Sequence, residues 1–245
     1  STEGVTGYFD DRVAGLLMEK ELEMLGGLLQ EPGRPFVAVL GGAKVSTKIG
    51  LIRNLLDRVD RILIGGGMAF TFFRAAGLGI GDSLVDEECL GTAKELLEQA
   101  GRGDRKRIFL PVDCLVAREI EEGAETRTVS TGDLPDGWVG VDIGDKTVEV
   151  FRAELERART VFWNGPMGIF EIPGFDAGTR RIARIVAELT GGGATTVVGG
   201  GDSVAALNRL HLTDRITHVS TGGGASLELL EGKSLPGVAA LDDPD

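Results

Sequence analysis

The chain has 245 residues, 42% of them hydrophobic, which is enough to bury a sizeable core as one large domain or two small ones. Its formal net charge of −12 argues against a nucleic-acid-binding protein, since such proteins usually present a basic face. Two cysteines and two histidines argue against a zinc site and fit a reducing cytoplasm, and the absence of a long apolar run argues against a membrane protein.

Taken in chain order, short apolar runs rich in β-branched residues alternate with runs of helical periodicity. Helical patterns cover Glu19–Leu29, Glu87–Gln99 and Thr179–Leu189. Residues 106–117 predict a strand interrupted by a proline, and residues 118–150 predict an antiparallel ribbon anchored by Trp138. Five segments are predicted to share the order strand, glycine turn, helix, namely 35–56, 61–77, 160–171, 195–210 and 217–232.

This alternation predicts an α/β fold with a mainly parallel sheet covered by helices on both faces. Strands such as Ile62–Ile64 are continuously apolar, as expected where both faces of a strand are buried. No break in composition marks an internal boundary, so we expect one three-layer, Rossmann-like domain over residues 1–245.

The glycines point to a phosphate ligand. There are 38 of them, about twice the average usage, and they cluster where a strand is predicted to lead into a helix. A helix N-terminus offers free N–H groups and partial positive charge, and glycine lets an anion approach the backbone. One such turn alone fits a structural role, but several along one sheet edge favour a polyphosphate. The P-loop and dinucleotide fingerprints are both absent.

Polar side chains beside these turns have two interpretations each. Asp202 could cap a helix or bind Mg²⁺, and Ser203 could cap the same helix or donate to a phosphate. Lys44 and Lys48 are four residues apart, so they share one face if a helix has begun there. The partial positive charge at the start of a helix disfavours lysines there, so two lysines in that place suggest that an anion binds beside them. Glu171 could be a solvated surface residue or accept hydrogen bonds from ribose hydroxyls.

The sequence shows no nucleophile and base that could act as a pair. His211 and His218 are predicted to be structural, and the phenylalanines near the turns are predicted to be core residues. This fits phosphoryl transfer, in which positioning and charge stabilisation carry most of the catalysis.

Five blocks resemble phosphoglycerate kinases in order and spacing: "GGAKVSTKI", "GGGMAFTF", "WNGPMGIFE", "GGGDS" and "STGGGASLELLEGK". The resemblance runs along the whole chain. It implies the C-terminal, nucleotide-binding domain of an enzyme that transfers the acyl phosphate of 1,3-bisphosphoglycerate to ADP. The products are ATP and 3-phosphoglycerate, and the N-terminal domain of the family binds the phosphoglycerate.

The resemblance also implies roles for the residues of the reaction. Lys48 would contact the transferring phosphate and Lys44 the nucleotide phosphates. Gly222, Gly223 and Gly224 would present amides at a helix end to the phosphoryl group in transit.

Further residues would hold ADP or ATP with Mg²⁺. Asp202 would bind Mg²⁺, and Glu171 would bind the ribose hydroxyls. The other positions would border the adenine (Gly65, Gly66, Gly67, Gly140 and Val141), the ribose and phosphate side (Asn164, Pro166, Gly168 and Ile169) and the phosphates (Gly200, Gly201 and Ser203).

The chain departs from the family pattern in length and at Thr47, where the family commonly has an acid. It is expected to begin where the N-terminal domain ends, so the arginines and the histidine that hold the phosphoglycerate would be missing. Residues 8–29 would be the interdomain helix, and the tail 235–245 would dock on the missing domain. We expect a monomer, and kinase activity of this chain without the N-terminal domain is doubtful.

Two alternatives stay open at this point. The chain could be a stand-alone nucleotide-binding fragment without turnover. A sugar-phosphate or acyl-phosphate enzyme on a similar fold would need its own acid or base, and the sequence offers none.

Overall fold

A computed structural model of the protein describes residues 3–101 and 106–242. The strands are β1 Phe36–Leu40, β2 Arg61–Ile64, β3 Ile108–Phe109, β4 Asp113–Ala117, β5 Thr126–Ser130, β6 Val139–Ile143, β7 Thr160–Asn164, β8 Thr195–Gly199 and β9 His218–Val219. The α-helices are α1 Leu16–Gln30, α2 Ile49–Leu56, α3 Met68–Ala75, α4 Leu90–Ala100, α5 Asp145–Leu155, α6 Ala177–Gly191, α7 Gly201–Arg209, α8 Gly224–Leu230 and α9 Pro236–Ala239. Short 3₁₀ segments cover Gly4–Tyr8, Glu87–Cys89 and Thr213–Arg215.

The main sheet has six parallel strands in the order β3-β2-β1-β7-β8-β9, which confirms the predicted fold class. Strand β1 lies near its centre and is buried at all five residues. Phe36 and Leu40 pack on the side of α1, α2, α3, α4 and α8. Val37 and Val39 pack on the opposite side, against α5, α6 and α7. Burial on both faces explains why these strands are continuously apolar.

The antiparallel part is a three-stranded sheet in the order β5-β4-β6. Trp138 is buried there, and the guanidinium groups of Arg118 and Arg127 lie 4.5 and 4.2 Å from the centroid of its ring, so its prediction as an anchor is confirmed. The predicted strand over 106–117 is instead two strands in two sheets. Pro111 has no N–H for a ladder hydrogen bond, and the chain leaves the main sheet at that point.

The prediction of a ribbon as far as residue 150 is wrong at its end, where α5 begins at Asp145. Val148, Phe151 and Leu155 recur at helical spacing and are buried against the main sheet. Their pattern is readable in the sequence, but the polar residues between them resemble the alternation of a strand.

Near the N-terminus, α1 begins at Leu16 rather than at residue 8, because Gly15 before it is extended. The preceding segment is tied instead to the far end of the chain. Arg12 N–H donates to the Asp242 carboxylate over 2.8 Å, and Asp242 N–H donates to Arg12 O over 2.9 Å. Residues 243–245 of the predicted tail lie outside the described residues. None of the helices that the structure describes is long and apolar enough to cross a membrane.

Candidate functional site

The carboxyl ends of the parallel strands lie at one edge of the main sheet, and the loops after β1, β2 and β7 are joined there through their backbones. Gly42 N–H donates to Pro166 O over 3.0 Å, and Gly66 N–H donates to Met167 O over 3.0 Å. Gly66 has a φ of +66°, and a Cβ at this position would lie 2.6 Å from Gly42 N. Only glycine therefore allows the three loops to approach this closely.

A cleft of about 380 Å³ opens beside these loops, between the edge of the main sheet and the antiparallel sheet. This volume is within the range of sites for small molecules. Nine of the residues predicted to hold the nucleotide line it, although they come from four separate parts of the chain. They are Gly66, Gly67, Gly140, Val141, Pro166, Gly168, Ile169, Glu171 and Asp202.

The cleft also has an apolar wall that the sequence did not reveal, to which Phe70, Leu84, Ile120, Val139 and Met167 contribute. Phe70 was predicted as a core residue. It is buried, and its ring lies so close to Gly140 that a Cβ there would collide with it. These side chains are ordinary apolar residues of different elements, so no local pattern marks them as ligand-facing.

Lys48 is buried close to the carboxyl ends of β7 and β8, with 9% of its surface exposed. Its Nζ donates to Asn164 Oδ1, and Asn164 Nδ2 donates to Gly199 O over 2.7 Å. Burial lowers the pKa of Lys48 to about 8, although the nearby Asp202 carboxylate opposes this shift. Asn164 is itself buried, so in this structure it orients Lys48 and does not line the cleft.

Lys44 and Lys48 were expected to share a helix face only if a helix had begun there, and this condition is not met. Helix α2 begins only at Ile49, and the residues before it form a turn in which Lys48 N–H donates to Val45 O over 2.8 Å. Because Val45 is buried, the turn places Lys44 in solvent and Lys48 in the interior.

The glycine turn after β8 does begin a helix, as predicted. Gly200, with φ +91°, precedes α7, and Gly201 and Asp202 are exposed in its first turn. Ser203 is fully buried, and its Oγ accepts a hydrogen bond of 2.6 Å from Gly165 N–H. The hydroxyl thus fixes the loop after β7 from behind, and its predicted contact with a phosphate remains untested.

A magnesium ion bound together with phosphates fits the position of Asp202. In the described part of the chain, no three His, Cys, Asp or Glu side chains form a cluster that could hold a metal. Mg²⁺ is usually held by one or two carboxylates together with substrate phosphates, not by an all-protein cage. A single exposed carboxylate beside a helix N-terminus and Lys48 meets that requirement.

The segment 165–176 follows β7 and does not begin a helix directly, contrary to the predicted strand, turn and helix unit. Helix α6 begins only at Ala177. The N–H groups of Met167 and Gly168 donate to Thr179 Oγ1 over 2.9 and 3.3 Å, and Ile169 N–H donates to Val141 O over 2.9 Å. These bonds bend the segment across the cleft, where Glu171 is exposed on the lining.

Asp142 is a cleft residue that the sequence did not single out. It is 4% exposed, and its carboxylate accepts hydrogen bonds from Ile143 N–H (2.8 Å) and Gly178 N–H (2.7 Å). Burial raises its pKa to about 7, against the lowering effect of the two N–H groups, and the charge of Asp176 adds to the rise.

At the same sheet edge, α8 begins at Gly224, directly after Gly222 and Gly223. These three glycines lie outside the cleft lining, and Lys44 and Gly65 lie outside it as well. The residue before them is held by α1, since Thr221 N–H donates to Glu21 Oε1 over 2.6 Å. His218, which was predicted to be structural, is buried with its Nε2 3.1 Å from Glu21 Oε2.

The comparisons with known proteins all match one family. The family model described as phosphoglycerate kinase matches residues 1–233. The chain is 57% identical over 243 residues to the phosphoglycerate kinase of Chlorobium limicola, covering 99% of this chain and 61% of that protein. It is 58% identical over 230 residues to the phosphoglycerate kinase of Rubrobacter xylanophilus, covering 94% of this chain and 57% of that protein.

Solved structures agree with the sequence relatives. Phosphoglycerate kinase from Coxiella burnetii superposes with a TM-score of 0.92 at 44% identity, over 98% of this chain and 61% of that one. The enzyme from Pyrococcus horikoshii superposes with a TM-score of 0.80 at 34% identity, over 93% and 56% respectively. The chain therefore spans about three fifths of the length of the relatives it matches.

Proposed function

Because this chain belongs to the phosphoglycerate kinase family, we propose that it supplies the Mg-nucleotide half of a phosphoglycerate kinase site. The reaction would be reversible transfer of the acyl phosphate of 1,3-bisphosphoglycerate to ADP, as in glycolysis. The observation that carries this proposal is the cleft, where nine of the residues expected to bind nucleotide meet beside an apolar wall that suits a base.

The nucleotide would lie with its base against Phe70 and Gly140 and its ribose near Glu171, so that its phosphates point toward Asp202 and Lys48. Lys48 and the amides of Gly222–Gly224 would meet the charge on the phosphoryl group in transit, and Lys44 and the turn at Gly200 and Gly201 would meet the nucleotide phosphates. Mg²⁺ bound with the nucleotide would neutralise phosphate charge, and Asp202 is the residue proposed to hold it.

The phosphoglycerate would be bound by a second domain, which relatives of greater length can provide. Large apolar side chains near the start of the chain support a partner surface there. Tyr8 is 87% exposed, Val13 80% and Leu16 85%, and all three are near in sequence to Arg12, which pairs with Asp242. We propose that residues 8–29 and the tail from 235 face that domain in a monomeric enzyme.

A cytoplasmic location is also part of the proposal. Both cysteines, Cys89 and Cys114, are unpaired and buried, which suits a reducing compartment.

Calorimetry with Mg-ADP on the chain and on Asp202→Ala tests the nucleotide site. We expect the variant to bind at least about tenfold more weakly with Mg²⁺, because a charge-assisted contact is worth roughly 1.5–3 kcal/mol. Without Mg²⁺ it should bind ADP as well as the original chain or better, since a negative charge beside the phosphates is removed. Asp214→Ala, an exposed acid beyond α7, is the matched control.

Equal affinity of the original chain and Asp202→Ala for Mg-ADP would contradict the proposal that Asp202 binds Mg²⁺.

Adding the separate N-terminal half of a relative tests the reaction. Turnover that appears only in the mixture supports the kinase, whereas tight Mg-ADP binding without turnover in any mixture supports a nucleotide-binding fragment.

A further inference from the structure

Asp142 lies where three parts of the nucleotide cleft meet, and none of the roles given so far includes it. It is in β6 of the antiparallel sheet, beside Val141, and it faces both the segment 165–176 and the start of α6. A buried carboxylate is costly unless it has partners, so its place in the wall of a ligand cleft calls for an explanation.

The carboxylate connects the cleft wall to α6. One oxygen accepts from Gly178 N–H in the first turn of the helix, over 2.7 Å, and the other accepts from Ile143 N–H, over 2.8 Å. The next helix residue, Thr179, holds the N–H groups of Met167 and Gly168 through its hydroxyl. Asp142 is therefore connected to the segment that lines the cleft by two sets of hydrogen bonds, which meet at the adjacent residues Gly178 and Thr179.

Two glycines leave room for this carboxylate. A Cβ at Gly168 would collide with Asp142 Oδ1 and lie 2.5 Å from Phe175 O, and a Cβ at Gly178 would collide with the same Oδ1. Neither glycine has a positive φ, so backbone conformation does not require them. What requires them is close packing, to which the side chain of Asp142 contributes at both glycines, together with Phe175 O at Gly168 and Ile143 Cγ1 at Gly178.

We propose that Asp142 is a positioning residue of the nucleotide site, whose carboxylate fixes the segment 165–176, and with it Gly168, Ile169 and Glu171, against the cleft. The proposal rests on the proposed nucleotide function for its consequence in binding, but its structural part stands without a ligand. The residue acts through the segment and need not touch the nucleotide.

The variant Asp142→Asn tests the role, because an amide offers one acceptor oxygen where the carboxylate offers two. We expect amide hydrogen exchange in residues 165–176 to become about tenfold faster, with exchange in β1, β7 and α5 unchanged. Mg-ADP affinity should fall about fivefold to tenfold at a temperature where circular dichroism shows both proteins to be folded. A purely structural role would lower thermal stability without either local effect.

Asp136→Asn, with an exposed carboxylate in the turn before β6, is the matched control and should change neither quantity. If Asp142→Asn does not fold, Gly178→Ala keeps the acid and displaces its carboxylate, and it should produce the same local loosening. Unchanged exchange in 165–176 in the folded variant overturns the proposal.

The two readouts separate this inference from the function on which it rests. If the original chain does not bind Mg-ADP, the proposed function fails and hydrogen exchange alone decides the role of Asp142. If the original chain binds Mg-ADP and Asp142→Asn loosens the segment 165–176 without weakening that binding, then the position of the segment does not determine the affinity and the proposal is wrong.

Discussion

At the scale of single residues, the same residue type has opposite environments within five positions. Lys44 is exposed and has the freedom of a surface lysine, whereas Lys48 is buried and held by Asn164. Burial lowers the pKa of Lys48 to about 8, so a larger fraction of this side chain is neutral at pH 7 than of an ordinary lysine. The structure thus holds the Lys48 ammonium group in place, which would save the entropy of ordering a long side chain if the proposed phosphate binds there.

Replacing Lys48 by methionine keeps the apolar stem and removes the charge. We expect Mg-ADP affinity at about pH 7 to fall about tenfold or more, because a charge-assisted hydrogen bond is lost. Anion binding favours the protonated lysine, so the affinity of the original chain should fall as pH rises through about 8, while that of Lys48→Met stays level. Calorimetry at about pH 7 and about pH 9 measures both effects.

The exposed Lys94→Met on α4 serves as the control and should follow the original chain. A Lys48→Met variant with the same decline as the original chain would show that another group causes the pH dependence.

At the scale of elements, α5 shows how a helix can begin with a cap from a distant residue. Asp113 of β4 accepts hydrogen bonds from Thr147 N–H (2.8 Å), Lys146 N–H (3.1 Å) and Thr147 Oγ1 (2.6 Å). A negative charge at a helix N-terminus is favourable, and this one is also buried. The cap fixes the helix to the antiparallel sheet that forms one wall of the cleft.

We expect Asp113→Ala to lower the free energy of unfolding by about 2 kcal/mol, since it leaves buried N–H groups without an acceptor. Urea denaturation measures the change, and an unaltered m-value would show that the denatured state is the same. Asp145→Ala removes an exposed acid from the first turn of the same helix and its ion pair with Arg181, and its effect should be much smaller. Equal losses in the two variants would contradict capping by Asp113.

At the scale of the whole molecule, α1 is attached to the rest of the fold by a buried apolar stripe and by a polar tie through Glu21. Leu25 and Leu28 are buried in the core, and Glu21 holds Thr221 directly before the glycines proposed to meet the phosphoryl group. Burial acts to raise the pKa of Glu21, but the hydrogen bonds from Thr221, together with the nearby side chains of His218 and Ser220, outweigh it and lower the pKa. The helix proposed to face the second domain is thereby connected to the proposed transfer site.

Glu21→Ala should therefore loosen two distant parts of the chain together. We expect faster hydrogen exchange in α1 and around Thr221, and a loss of roughly 1–3 kcal/mol in the free energy of unfolding. Because the pKa of Glu21 is lowered on folding, its contribution is present above the usual pKa of a glutamic acid and is lost as pH falls below it. The stability difference between the original chain and Glu21→Ala should accordingly shrink in acid.

Glu23→Ala, an exposed acid on the same helix, makes the same change without the tie and should leave the exchange at Thr221 unaltered. Faster exchange in α1 alone would show that Glu21 stabilises only its own helix.

The sequence by itself determined the α/β alternation, the mainly parallel sheet and the family. These depend on local properties, namely apolar strands buried on both faces, glycine turns at their ends and helical periodicity between them. The parallel arrangement then brings the strand ends to one edge, so Asp202 and Glu171 could be placed at the cleft from sequence alone.

Only the tertiary structure decided which side chains reach the cleft and which act from behind it. Lys48 is oriented by Asn164, 116 positions away, and Ser203 is turned inward by Gly165, 38 positions away. Asp142 is surrounded by residues of a later loop and helix. The direction of a side chain and the cost of burying its charge depend on neighbours that are remote in sequence, and local patterns contain no information about them.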